Sequence, residues 1–192
     1  MIKYICGVDI MFKKVTILDE KEKSLRKKSV PFDSPVTKEE KELVEQMIKH
    51  LTYSQIEEYE KKYNLRPGMG LAFPQVGINK RLIVIVDEYQ KGKFDTYVVV
   101  NPKIISHSEE MIAADLGEGC LSVNREVEGH VPRFARVTIT GLDLDGNPIK
   151  IRAREELSIA FQHEIDHLDG ILFYDRINKK KPFYNENEIR LI

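Results

Sequence analysis

The pattern His-Glu-x-x-His at residues 163–167 constrains this 192-residue chain more than any other feature. On an α-helix, residues four positions apart lie on one face, so His163 and His167 can reach one metal ion if this segment is helical. Glu164 then lies beside the place that a water molecule would take. The pattern therefore predicts a helix with two metal ligands and a carboxylate suited to hydrolysis, against the simpler alternative of a solvated helix.

Two histidines do not complete such a site, because catalytic zinc-type sites use three protein ligands and keep a further position open. The metzincin pattern would place a third histidine at Phe173, which cannot bind a metal. The thermolysin-like alternative needs a later glutamate, and only a polar tail remains to supply one. Upstream, Cys120 follows a glycine in the sequence GEGCLS, where the backbone can approach a ligand closely. A buried structural thiol is the alternative for a lone cysteine.

Length and composition limit the class of protein. The length predicts one domain over residues 1–192, and 42% hydrophobic with 32% charged residues is typical of a soluble globular protein. No apolar run approaches the roughly 20 residues that cross a bilayer, so no membrane partner is expected. Thirty basic against thirty-one acidic residues argue against direct nucleic-acid recognition. Two cysteines, Cys6 and Cys120, and the lack of a cleavage site near the N-terminus favour the cytoplasm.

Hydrophobic periodicity predicts two helical regions. Residues 37–40 have the form of a capping box, and apolar residues at helical spacing follow as far as Leu51, which predicts an N-terminal helix. Residues 56–63 continue this helix or form a second one. The last helix is predicted to begin near Arg154, to carry the two histidines and to end at Gly170.

Between these helices the period changes from 3.6 to 2, which predicts a largely antiparallel sheet. A short strand is also predicted at 15–18. The central strands are predicted at residues 82–86, 97–100, 137–140 and 149–151. The apolar face of the last helix must lie against this sheet, so the fold class is α+β: mostly antiparallel sheets packed around a C-terminal metal-binding helix, with an N-terminal helix.

Three motifs, in this order, resemble the signature of the peptide deformylase family: GMGLAFPQ at 68–75, EGCLS at 118–122 and QHEIDHLDG at 162–170. The resemblance spans roughly residues 25–177. Phe73 departs from the small residue usual in the first motif, so the cleft wall beside Gln75 is expected to differ in shape. The long stretch before Gly68 resembles the longer form of the enzyme in low-GC Gram-positive bacteria.

The resemblance implies a metal-dependent hydrolase that removes the N-formyl group from the formylmethionine of newly synthesised polypeptides and releases formate. Glu164 would be the general acid and base, and Gln75 with the backbone amide of Leu121 would stabilise the oxyanion. The implied metal ligands are Cys120, His163 and His167. The family's metal is Fe²⁺, which Zn²⁺, Ni²⁺ or Co²⁺ can replace, because thiolate and imidazole accept several divalent ions.

Substrate contacts are expected at three places in the cleft. A peptide could lie beside Gly70 as an added strand, and Gly119 lets the backbone approach it from the cysteine side. Ile159 and Phe161 are the apolar candidates for the methionine side chain. The expected partners are N-formylmethionyl nascent peptides, with ribosome association left open. The rival functions are an HExxH zinc endopeptidase with a downstream ligand and a non-enzymatic module with a closed four-ligand site.

Other polar residues are expected to have supporting roles. Glu118 and Arg133 are expected to be structural or orienting, and Asp166 either supports a ligand or is a surface carboxylate. The remaining histidines have no partners at ligand spacing and are expected in surface or loop positions: His50, His107 and His130.

Overall fold

The computed structural model describes residues 12–184 and 188–192, so Cys6 lies outside the described residues. The three helices of this part of the chain are α1 (Lys38–Ser54), α2 (Glu57–Tyr63) and α3 (Glu155–Leu168). Short 3-10 turns occupy Lys23–Arg26, Phe73–Val76 and Phe173–Arg176. The strands are β1 (Gly70–Ala72), β2 (Leu82–Gln90), β3 (Lys93–His107), β4 (Met111–Ala113), β5 (Arg133–Phe134), β6 (Arg136–Leu142), β7 (Pro148–Arg154) and β8 (Arg190–Leu191).

The main sheet is antiparallel throughout and has the strand order β1-β2-β3-β6-β7. The first five residues of β2 are a continuous, buried apolar run because helices cover both faces of the sheet there. Leu82, Val84 and Val86 belong to the core under α1, whereas Ile83 and Ile85 belong to the core under α3. The α+β prediction is confirmed, and so is the prediction that the last helix lies against the sheet.

Helix α1 begins as its capping box predicts. The Thr37 Oγ1 accepts from the Glu40 backbone N–H at 3.2 Å, and the Glu40 carboxylate accepts from the Thr37 N–H at 2.9 Å. Its apolar stripe, which includes Val44, Met47 and Leu51, is fully buried against the sheet. Burial of this stripe, together with the satisfied first turn, holds α1 on the face opposite α3.

A smaller sheet of order β5-β4-β8 lies beside the first turn of α3. The central strand β4 is antiparallel to β5 and parallel to β8, with Ile112 opposite Arg190. The Arg190 guanidinium donates to Glu155 at 2.8 Å and to Glu110 at 2.9 Å, which ties β8 to the start of α3. Among the described residues no helix is both long and apolar enough to cross a membrane.

Two expectations about local structure were wrong. Residues 15–18 form no strand: the Leu18 N–H donates to the Gln75 carbonyl at 2.8 Å, so this segment is tied to a loop rather than to a sheet. His50 is not on the surface, because it lies on the buried face of α1 and its Nδ1 accepts from the Val15 N–H at 3.3 Å. His130 is in a loop but is also buried.

Candidate metal centre

Helix α3 packs on the sheet with one face and lies at the bottom of the cleft with the other, and residues of both faces are buried. The extended Arg154 precedes it, and the Glu155 N–H donates to the Ala135 carbonyl at 3.0 Å, which anchors its first turn to the edge of β6. Phe161 and Ile165 pack on the sheet, so the face that the helical period leaves opposite carries the histidines. Every residue from 158 to 168 is buried.

The structure brings the three predicted ligands together. The ligand atoms of Cys120, His163 and His167 all lie within 4.8 Å of one another, and the cysteine Sγ is 3.2 Å from the His167 Nε2. The sulfur also accepts the Ser122 backbone N–H at 3.4 Å, which orients it toward the helix. A thiolate and two imidazoles form a donor set that suits Zn²⁺ or Fe²⁺. Within residues 12–184 and 188–192, no other group of three such side chains converges in this way.

Glu118 orients the first histidine of the motif. Its Oε2 lies 2.8 Å from the His163 Nδ1, which fixes the imidazole so that Nε2 faces the thiol. Burial alone would raise the pKa of Glu118, but hydrogen bonds from His163 and Arg133 outweigh it and hold the pKa at about 2. Burial would lower the pKa of His163, yet the neighbouring Cys120 and Glu118 raise it well above its usual value. A cation bound here would displace that proton.

Arg133 is the largest fully buried side chain among the described residues. It donates to both oxygens of Glu118, at 2.7 and 2.9 Å, and to the Asp166 Oδ2 at 2.6 Å. Arg176 also donates to Asp166. Glu118 and Arg133 therefore have the orienting contacts expected of them, and Asp166 is not a surface carboxylate, because only 5% of it is exposed.

Glu164 is buried beside the ligand cluster. Its Oε2 has no hydrogen-bond partner in the described part of the chain, and the same is true of the His167 Nδ1. Desolvation raises the pKa of Glu164 to about 7. Gly70 provides the room that this carboxylate needs, since a Cβ there would lie 2.7 Å from the Glu164 carboxyl carbon. An unpartnered carboxylate oxygen at this place can accept a proton from water or from a substrate.

Gln75 follows β1 in a 3-10 turn, and both ends of its side-chain amide are fixed. Its Oε1 accepts the Ala72 N–H at 2.8 Å, so its Nε2 faces the cysteine loop. That Nε2 donates to the Ser122 Oγ at 3.1 Å and lies 3.7 Å from the Cys120 Sγ. The amide group is thus a donor held next to the ligand cluster.

Gln75, Cys120, His163 and Glu164 line one cleft of about 1220 Å³, and His167 lies behind them. The walls of the cleft are the 66–70 segment, which includes Gly70, and the 114–121 segment, which includes Gly119 and Leu121. A Cβ at Gly119 would meet no atom within 4 Å, so the cleft is open there. The volume is that of a site for a small molecule or a few residues of peptide.

The two apolar candidates on α3 and the unusual Phe73 have different positions. Ile159 lines the cleft. Phe161 does not, because it is fully buried on the sheet with its ring 5.6 Å from that of Tyr97. Phe73 is also fully buried, with its ring centroid 6.2 Å from that of Phe32. It does not line the cleft, so the expected effect on the shape of the cleft wall is absent.

Sequence reasoning missed Arg66, which lies at the cleft and donates to the backbone of the cysteine loop. It also missed Ser122, which bonds both the Cys120 thiol and the Gln75 amide. No local pattern could have identified Arg66, because its acceptors are more than fifty residues away in sequence.

Comparison with known proteins places this geometry in a family. The model of the polypeptide deformylase family matches residues 14–183. A peptide deformylase of Oceanobacillus iheyensis is 48% identical over 167 residues, which cover 87% of this chain and 91% of the relative. Peptide deformylase 2 of Bacillus subtilis is 46% identical over 169 residues, covering 88% and 92%. The crystal structure of peptide deformylase from Thermus thermophilus matches with a TM-score of 0.70 and 32% identity, covering 86% of each chain.

Proposed function

The chain belongs to the polypeptide deformylase family, and from this membership we infer that it is a hydrolase that removes the N-formyl group from the formylmethionine of newly synthesised polypeptides. The products are formate and a peptide with a free amino terminus. The observation that carries the inference is the convergence of one thiol and two imidazoles within 4.8 Å at a cleft. The adjacent, unpartnered Glu164 carboxylate supports it.

We assign the metal ligands as Cys120, His163 and His167, and the physiological ion as Fe²⁺, with Zn²⁺, Ni²⁺ or Co²⁺ as substitutes. The buried thiol and the imidazole pair favour a first-row divalent ion, since thiolate and nitrogen ligands suit these metals better than Mg²⁺ or Ca²⁺. When bound, the metal supplies Lewis-acid chemistry, which makes a hydroxide nucleophile available near neutral pH.

Three groups of the chain act on the reacting atoms. Glu164 takes a proton from the attacking water and later delivers one to the departing amine. Its burial beside Gly70 excludes bulk water from the carboxylate. The oxyanion that forms as the formyl carbon becomes tetrahedral accepts hydrogen bonds from the Gln75 Nε2 and the Leu121 N–H. The Gln75 Nε2 lies 3.7 Å from the Cys120 sulfur, which is within reach of a group bound at the ligand cluster.

The peptide binds along the walls of the cleft. Gly70 at the start of β1 offers an unhindered backbone edge, and Gly119 offers open space on the facing wall, so the substrate is held as an extended strand. Ile159, which lines the cleft, contacts the methionine side chain.

The expected setting is the bacterial cytoplasm, where a metal-binding thiolate stays reduced. The substrates are nascent chains, so the enzyme works at or near the ribosome. Co-sedimentation of the purified protein with ribosomes that carry formylated nascent chains would test that association, with ribosomes lacking nascent chains as the comparison.

Formate release from N-formyl-Met-Ala-Ser under anaerobic conditions, with Fe²⁺ supplied, tests the activity. We expect release by the wild-type protein and a loss of at least about 10²-fold in Glu164→Gln, which keeps the shape of the side chain but cannot accept the proton. An inactive wild type, or an unimpaired variant, would overturn the proposal.

Substitution of the thiol separates this activity from the endopeptidase alternative. Cys120→Ala removes one of three ligands and should abolish both stoichiometric metal binding and formate release. An endopeptidase whose third ligand is a downstream carboxylate such as Glu188 would keep its metal in that variant. Metal content after gel filtration, measured by atomic emission, distinguishes the two.

A further inference from the structure

Arg66 lies between α2 and β1 and bridges the two walls of the cleft. Its Nη2 donates to the Cys120 carbonyl oxygen, and its Nη1 donates to the Asn124 Oδ1 at 2.6 Å and to the Val123 carbonyl at 3.2 Å. One guanidinium thus holds three acceptors of the loop that follows the thiol. Residues 66–70, which include Arg66 and Gly70, form the opposite wall of the cleft.

The first of these contacts acts on a peptide unit that matters for the reaction. The Cys120 carbonyl and the Leu121 N–H are the two ends of one planar amide, and in a trans amide they point in opposite directions. Fixing the carbonyl oxygen therefore fixes the direction of the N–H. The Val123 N–H also donates to this oxygen, at 3.1 Å, so both of its lone pairs are engaged.

Donation by the Arg66 cation to the Cys120 carbonyl also changes how strongly the Leu121 N–H can donate a hydrogen bond. Hydrogen bonds that involve an ion are roughly twice as strong as neutral ones. Bonds that are linked through one amide polarise each other, by about 10–30% per bond. Withdrawal of charge by Arg66 thus makes the Leu121 N–H a better donor to an anion.

We propose that Arg66 is a positioning residue for deformylation: its guanidinium orients and polarises the Cys120–Leu121 peptide, so that the Leu121 N–H is an effective oxyanion donor. This inference rests on the proposed function, which gives that N–H its role. It assigns a purpose to a charged side chain on the segment between α2 and β1, far in sequence from the ligand motifs.

Two substitutions and a control test the proposal kinetically. Arg66→Met keeps the unbranched aliphatic part of the side chain but removes every donor, whereas Arg66→Lys keeps the charge with a single donor group. A lost oxyanion donor costs about 10²- to 10³-fold in kcat, so a weakened one in Arg66→Met should cost roughly 10-fold, with KM changed less than about 2-fold. Arg66→Lys should restore part of the loss. Arg136→Met, which removes an exposed arginine paired with Glu110 at 2.8 Å, is the control and should leave both constants unchanged.

A spectroscopic measurement reports on the peptide itself. Cys120–Leu121 is the only Cys–Leu peptide in the sequence, so protein labelled with carbonyl-¹³C cysteine and ¹⁵N leucine gives one signal in a carbonyl-to-amide correlation experiment. In the zinc-loaded protein, both the carbonyl and the amide resonances should shift in Arg66→Met and stay in place in Arg136→Met. A merely structural arginine that held the loop through Asn124 would lower thermal stability without changing kcat at permissive temperature.

The outcomes separate this inference from the function on which it rests. If the wild type is active but the Cys120–Leu121 signal and kcat are unchanged in Arg66→Met, the inference is wrong and the function stands. If the wild type releases no formate, the function is wrong and the role of Arg66 in that reaction is wrong with it. A shifted signal together with a kcat loss that Arg66→Lys partly restores supports both.

Discussion

Gly70→Ala should slow the reaction strongly by displacing Glu164. The added Cβ would lie 2.7 Å from the carboxyl carbon and 2.8 Å from the Cγ of Glu164, closer than real Cβ contacts allow. Gly70 has no positive φ, so the backbone tolerates alanine and the clash with the carboxylate is the whole effect.

The structure gives the size of this effect. Ordinary contact begins at 3.4 Å, so the carboxyl carbon must retreat by about 0.7 Å, and the Glu164 Oε1, which lies still closer to the added Cβ, must retreat farther. A misplacement near 1 Å costs about 10²-fold in rate, which sets the expected loss in kcat/KM. Overpacking a buried site costs typically 1–3 kcal/mol, which sets the expected loss in the free energy of unfolding.

A double-mutant cycle with Glu164→Ala isolates the contact. In the Glu164→Ala background the carboxylate is gone, so Gly70→Ala should no longer destabilise the protein, and the coupling in urea unfolding should equal most of the 1–3 kcal/mol. Formate release provides the second readout. If the two substitutions add independently in stability, or if Gly70→Ala keeps full activity, the steric reasoning is refuted.

Three further predictions concern the support of the site and the pH range of stability. Glu118→Gln should weaken zinc binding about 10- to 100-fold in a chelator competition, because the His163 imidazole loses its charged partner; unchanged affinity would contradict this. Removal of the metal by a chelator should lower the Tm of the wild type but not that of Cys120→Ala, as measured by scanning calorimetry. Burial lowers the pKa of His50 to about 4, below its unfolded value near 6.5. The free energy of unfolding should therefore fall by on the order of 2 to 3 kcal/mol as pH falls from 6.5 to 4. His50→Gln should flatten that part of the pH profile measured by urea unfolding.

The elements that sequence could predict are those in which local signals agree. The capping box at Thr37 and the stripe through Leu51 specify α1 without help from the rest of the chain. The apolar run 82–86 predicts a strand of the central sheet, and the structure extends it to Gln90. The His-Glu-x-x-His pattern fixes both the helix and which of its side chains share a face, so the positions of His163 and His167 follow from spacing alone.

Tertiary contacts decided the rest. The 15–18 segment has the composition of a strand, but the Val15 N–H donates to His50 and the Leu18 N–H donates to the Gln75 carbonyl instead of to a sheet edge. His50 is a polar residue, but it lies on the apolar stripe of α1 and is therefore buried. Phe161 and Ile159 are two residues apart on one helix and therefore face different surroundings, which sequence alone could not assign.

The buried Arg133 has a consequence for redesign of the enzyme. It pairs with Glu118 and Asp166 at once, so removal of the guanidinium takes a buried cation from two buried carboxylates, which costs about 3–5 kcal/mol. Arg133 is therefore the position of the three that a redesign should leave unchanged. The basicity of His163 can then be tuned for another metal through Glu118, whose Oε2 lies 2.8 Å from the His163 Nδ1, while Asp166 keeps its pairs with Arg133 and Arg176.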